Sequence, residues 1–203
     1  MKFHIYLNEN DTPQTMEDIV EILKRDCMPM LKFLKKLGWR YLFHRYTDPP
    51  KNRFELKFSR TNRKPLDTPL WLHYFIDDLL YQKFGWKPRS EGVFVWPEPI
   101  GETHGTFCVF PVDTFDLIWS PQVGDFYAVY RDLDDWGEKK ISKEEIEKWI
   151  NSIIPTYRSL EHIRSDINFN RHEVVFKCHK YYLLAIPRSI TEFDGLIESL
   201  KGV

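Results

Sequence analysis

The chain has 203 residues, of which 42% are hydrophobic and 16% aromatic, enough to build one ordinary domain around a real core. Its 29 basic and 30 acidic side chains nearly cancel, which excludes a whole-molecule field that would draw it onto nucleic acid or membrane. The three cysteines, Cys27, Cys108 and Cys178, are widely spaced with no CxxC pair; this argues against a disulfide framework or structural zinc site and for a reducing compartment.

The opening residues carry charges where a signal peptide needs an apolar run, and no stretch approaches membrane-spanning length. A cytoplasmic protein with no membrane partner is the expectation. The charge is unevenly placed: residues 1–64 hold 14 Lys/Arg against 8 Asp/Glu, and residues 65–203 hold 15 against 22. A basic first third suits an anionic ligand or a solvated face equally well.

In chain order, "TPQTMEDIVEILKRDCMPMLKFLKKLG" predicts a helix capped by Thr12, with Pro13 in its first turn, a kink or division at Pro29 and an end at Gly38. Its apolar residues Met16, Ile19, Val20, Leu23, Cys27, Met30 and Leu34 recur at helical spacing. We read residues 1–38 as an N-terminal helical segment packed on a core formed by residues 39–203. "WRYLFHRY" alternates with a period of two and predicts a strand with Trp39, Tyr41, Phe43 and Arg45 on one face. "RFELKFSR" predicts a second strand, with a turn through Asp48 and two prolines between them.

"RKPLDTPLWLHYFIDDLLYQKFG" repeats the Thr-Pro helix start at Thr68 and Pro69 and ends at Gly85. "SEGVFVW", "GTFCVFPV" and "DFYAVY" read as strands. Ser142 and Glu145 form a capping box ahead of an amphipathic helix. "RHEVVFKCHKYYLLAIP", residues 171–187, reads as a β-hairpin, and "SITEFDGLIESLKG" as a closing helix. This order predicts an α+β fold.

The sequence holds no GxGxxG, GxxxxGK[ST], HExxH or GxSxG, which leaves dinucleotide-fold dehydrogenases, P-loop enzymes, zincin proteases and α/β-hydrolases without support. The seven histidines are scattered, none at metal-ligand spacing with another His or Cys. No metal ligand is assigned.

The stretches "LKRDCMPMLKFLKKLGWRYLFHRY", "RTNRKPLDTPLWLHYFIDDLLYQKFGWKPRSEGVFV", "THGTFCVFPVDTFDLIWSPQVGDFY" and "HEVVFKCHKYY", in that order, resemble ADP-ribosyltransferases of the Arg-Ser-Glu class, in particular small proteins of bacteriophages and large DNA viruses. The resemblance covers roughly residues 20–186. It implies two packed small β-sheets flanked by helices, NAD as the donor substrate, and a host protein or nucleic acid as acceptor. In that family an arginine ending a core strand holds the NAD phosphates, a place taken here by Arg45, with Tyr46 where glycine is usual. Arg60 and Arg63 are further candidates for the phosphates. Ser90 stands where the family carries a Ser-Thr-Ser run, and Glu173 in "HEVVF" matches its catalytic glutamate. The acidic or Gln residue two positions upstream is Arg171 here.

Such a trio has a chemical logic. Cleavage between nicotinamide and ribose builds oxocarbenium charge that a carboxylate stabilises, and a guanidinium fork matches pyrophosphate oxygens. Phe94, Trp96, Trp119 and Tyr46 are candidates to stack on nicotinamide. Two other classes stay open. A metal-dependent nuclease would use Glu55, Lys57 and Asp48, and a non-enzymatic viral factor would bind a host protein through surface aromatics.

Overall fold

A computed structural model describes residues 15–45, 52–65, 68–98, 105–124, 126, 130, 142–163, 169, 172–186 and 190–202. The first helix, α1 (Met16–Asp26), starts at Thr15, not at Thr12, which lies outside the described residues. Thr15 accepts from the Asp18 amide while the Asp18 carboxylate accepts from the Thr15 amide, a capping box that the sequence reading missed. The helix breaks at Cys27, so Pro29 falls in the first turn of α2 (Met28–Lys36), where it sacrifices no intrahelical hydrogen bond.

Gly38 and Trp39 both have left-handed backbones, with φ of 66° and 63°. That turn uses up the start of the predicted strand, and β1 is only Phe43–Arg45. β2 (Phe54–Phe58) follows, then α3 (Leu70–Phe84), with Pro69 at the cap position and Gly85 in the left-handed closing position. Ser90 lies in a four-residue helix, α4 (Pro88–Glu91), ahead of β3 (Val93–Val95). β4 (Thr106–Pro111) is buried throughout, as its continuous apolar run requires. β5 (Asp116–Trp119) was not foreseen as a strand. Phe126 and Tyr130 are helical, against the strand expected at 125–130. α5 (Lys143–Ile153) carries the expected Ser142–Glu145 box. β6 (Arg158–Ser159), β7 (Val174–Lys177), β8 (Lys180–Ala185) and α6 (Ile190–Lys201) complete the order.

Among the described residues, eight strands form two antiparallel sheets, β1-β4-β8-β2 and β3-β7-β5-β6. The predicted hairpin at 171–187 is therefore not one. β7 pairs with β3 and β5, β8 pairs with β4 and β2, and the chain passes from one sheet to the other at Cys178–His179. A two-residue hairpin needs left-handed residues such as Asn-Gly, and neither Cys178 nor His179 has a positive φ. The sheets meet at a bridge between Phe43 and Trp96, with hydrogen bonds of 2.8 Å in both directions.

The second sheet is apolar on both faces. Val93, Val95, Leu117, Trp119, Val174 and Phe176 join a core with α1, α2 and the first sheet, so the N-terminal helices share the main core. Phe94, Ile118 and Val175 face the other way, into a core with Leu72, Ile76 and Leu80 of α3 and Ile146 and Ile150 of α5. An α+β architecture of two small antiparallel sheets with helices is the result.

Candidate functional site

Glu173 stands one residue before β7, and its amide donates to the Gly124 carbonyl at 2.7 Å. By the period of two it belongs to the Phe94–Val175 face of the second sheet. It is 7% exposed. Burying a carboxylate there needs compensation, and the Arg89 guanidinium supplies it from α4 at 3.8 Å, an ion pair too long for a hydrogen bond.

Arg89 also lies 5.6 Å from the centroid of the Phe94 ring and 5.1 Å from that of Phe126. A second guanidinium, Arg63, sits over Phe94 at 4.2 Å. The electron-rich faces of the two rings attract both cations. Burial lowers the pKa of Arg63, and Arg89 and Arg60 lower it further, while Glu173 and Tyr181 oppose them. Burial likewise pushes the Tyr157 hydroxyl well up; Glu173 adds to the rise and Arg89 opposes it. Two guanidiniums thus converge on one carboxylate and one aromatic ring. Arg89 Nε is buried and has no hydrogen-bond partner among the described residues.

Local structure explains how α4 presents Arg89. His73 and Asp77, four residues apart on the buried face of α3, point at α4. Asp77 Oδ1 accepts from the Arg89 amide at 2.7 Å, and Oδ2 accepts from the Ser90 hydroxyl at 2.5 Å. His73 Nε2 lies 3.0 Å from Ser90 Oγ and 3.6 Å from Asp77 Oδ2. In a hydrolytic triad the acid and the hydroxyl sit at opposite ring nitrogens. Here both sit at Nε2, which is not that arrangement. The Ser90 carbonyl in turn accepts from the Arg63 amide at 3.0 Å. His44 Nδ1 lies 2.5 Å from the Phe94 carbonyl.

Of the residues singled out in the sequence, Glu173, Arg63, Phe94 and Ser90 come together, with Ser90 turned toward Asp77 and linked to Glu173 only through its neighbour Arg89. Arg45 is exposed on β1 in the first sheet, in register with Thr106. Arg60 is exposed on the wall of a separate cavity of about 520 Å³, lined also by Glu91, Phe115, Lys177, Cys178 and His179. Trp119 lies on the opposite face of its sheet from Phe94, edge-on to Phe169 with centroids 5.3 Å apart. Trp96 is the half-buried bridge residue. Tyr46, Arg171 and Asp48 lie outside the described residues.

Glu55 is paired with Lys57 along β2, and no group of three His, Cys, Asp or Glu among the described residues could hold a metal ion. Sequence reasoning missed Arg89, Asp77, His73 and Phe126. The available signal was "LHYFIDD", a histidine and an acid four apart, at the spacing of the apolar residues Leu72, Ile76 and Leu80. No family model, no curated protein and no solved structure matches the chain.

Proposed function

We propose that this chain is a mono-ADP-ribosyltransferase, using NAD to modify a host protein or nucleic acid. The observation that supports this reading is the convergence of Arg63, Arg89, Phe94 and Glu173 on one face of one sheet. NAD supplies an ADP-ribosyl group whose bond to nicotinamide breaks with the electron pair leaving on nicotinamide, while the acceptor heteroatom bonds to C1′ and gives up its proton. Arg63 and Arg89 hold the pyrophosphate, for which planar guanidinium forks are suited. Phe94 lies beneath them as a flat apolar support. Glu173 stabilises the ribosyl cation, with Arg89 paired to it at 3.8 Å. Arg45, exposed on the other sheet, is not needed in this assignment.

The test is incubation of the purified protein with labelled NAD and an extract containing proteins and nucleic acids, beside Glu173→Gln. Label carried by the wild type and lost in the variant supports the transferase and identifies the acceptor class. No label and no NAD binding would remove it. A second reading, a non-enzymatic interaction protein, has one observation in its favour. Leu70, Trp71, Tyr74 and Tyr81 of α3 are 36% to 53% exposed, and Trp71, Tyr74 and Tyr81 follow helical spacing. In that reading Glu173→Gln leaves partner binding intact, and Trp71→Ala with Tyr74→Ala removes it.

A further inference from the structure

We infer that Asp77 is the positioning residue of the two-arginine site: its buried carboxylate sets the backbone of α4, and through α4 the placement of both guanidiniums. The inference rests on the reading of that site as an NAD site where it concerns affinity, and on geometry alone where it concerns the arginines.

Asp77 is fully buried, at 0% exposure, on a helix face whose other buried residues are Leu72, Ile76, Leu80 and His73. A carboxylate in such a place is costly unless its oxygens are saturated. Both are engaged by a single element, α4, through the Arg89 amide and the Ser90 hydroxyl. α4 has four residues and no side-chain cap of its own, far short of the length at which a helix sustains itself. Asp77 supplies from α3 the acceptor that the first turn of α4 lacks.

The other side of α4 is equally constrained. A Cβ on Gly92, the residue that ends it, would lie 2.2 Å from Val175 Cγ1 and 2.4 Å from the Pro88 carbonyl oxygen. The helix end is therefore pressed against β7, the strand that Glu173 precedes. Between Asp77 on one side and β7 on the other, the Arg89 backbone is fixed. The Ser90 carbonyl extends this hold to the Arg63 amide.

Asp77 makes no hydrogen bond to either guanidinium among the described residues; it holds α4 through the Arg89 amide and the Ser90 hydroxyl. Ser90 then has a defined part: its hydroxyl satisfies Asp77 and its carbonyl carries the constraint to Arg63. His73 completes the packing around that hydroxyl. A misplacement of about 1 Å in groups that orient a substrate costs on the order of a hundredfold in rate, which is why such a hold matters.

The experiment compares wild type, Asp77→Asn, Ser90→Ala and, as a stability control on the same helix, Ile76→Val. Arginine Nε–Hε signals are followed by NMR, and NAD affinity by calorimetry. Asp77→Asn keeps the shape but cannot accept from both donors, and Ser90→Ala removes one donor. Both are expected to shift the Arg63 and Arg89 Nε–Hε signals and to weaken NAD binding about tenfold, while Ile76→Val lowers the melting temperature and moves neither. Unchanged signals in both Asp77→Asn and Ser90→Ala overturn the inference. If Asp77→Asn does not fold, Ser90→Ala decides alone. If the wild type fails to bind NAD, the NAD reading falls, and the Nε–Hε signals still decide whether Asp77 positions the arginines.

Discussion

Arg89 and Glu173 face each other at 3.8 Å with side-chain exposures of 11% and 8%. Such a pair stabilises little relative to an apolar pair of the same shape, but removing one member strands the other charge in a poor solvent. Arg89→Met is therefore expected to cost about 3 kcal/mol. Glu173→Gln removes the carboxylate that faces the two guanidiniums over Phe94, and is expected to cost about 1–2 kcal/mol. The double variant should be milder than the sum of the two, with a coupling of about 1–2 kcal/mol in urea denaturation. Additive costs would mean that the two residues do not share a site.

The crowding at Gly92 gives a second expectation. Its φ lies in the ordinary negative region, so space rather than backbone conformation forbids a side chain. Gly92→Ala places a methyl against Val175 Cγ1, which is buried in the second core, and against the Pro88 carbonyl, which is backbone. Neither can give way without moving α4 off β7. We expect a loss of about 2–3 kcal/mol, together with a displaced Arg89 and weaker NAD binding. A gain in stability, as the lower unfolded-state entropy of alanine alone would give, would show that α4 and β7 are not in contact.

The sequence carried the helices well because their signals are local. The Ser142–Glu145 box and the Gly85 end are written within a few residues, and the structure uses both. The same locality misled at the first helix, where Thr12-Pro13 and Thr15 are both good starts and only Thr15 has Asp18 three residues on. Sheet membership was not legible. "HEVVFKCHKYYLLAIP" looks like one hairpin, but the partners of β7 and β8 lie tens of residues away, and pairing over that distance leaves no mark in a window of ten. The site was half legible for the same reason. Glu173, Ser90, Arg63 and Phe94 attract notice by type, whereas Arg89 and Asp77 gain their meaning only when α3 packs on α4.

The thiols make a separate check on burial. Cys27 and Cys108 are fully buried, and burial pushes both thiols far above the ordinary cysteine value. Cys178, half-buried on the wall of the 520 Å³ cavity, is pushed up to about 11, chiefly by burial, with the Ser59 hydroxyl opposing. The thiolate is the reacting form, so none should react quickly at pH 8 in the folded protein. Mass spectrometry after iodoacetamide should show Cys178 labelled first and slowly, and all three labelled in guanidinium. Rapid native labelling of Cys27 would contradict its burial against the Phe110 carbonyl of β4.

Two histidines near the site, His44 and His73, set a pH window. Burial lowers the pKa of His44, where Arg63 and Arg60 add to the effect and the Phe94 carbonyl opposes it. Burial also lowers that of His73, with Arg89 and Arg63 adding and Asp77 opposing. The folded chain keeps both imidazoles neutral further into acid than the unfolded chain, in which they protonate near the ordinary value of about 6.5. Below that pH the unfolded state binds more protons, so stability falls as pH falls, by up to about 1.4 kcal/mol per pH unit for each histidine until its folded value is reached. Asp26 acts in a lower window. Its pKa is held down chiefly by its hydrogen bond to Arg25, with Tyr182 helping, so its contribution is present above the ordinary carboxylate value and is lost only in stronger acid. Urea denaturation should therefore show lower stability at pH 5.5 than at pH 7.5, a difference that shrinks in His73→Gln. A stability that is flat or rising on acidification over that range would mean that His44 and His73 are hydrated in solution, and that the interior of the site is open to water.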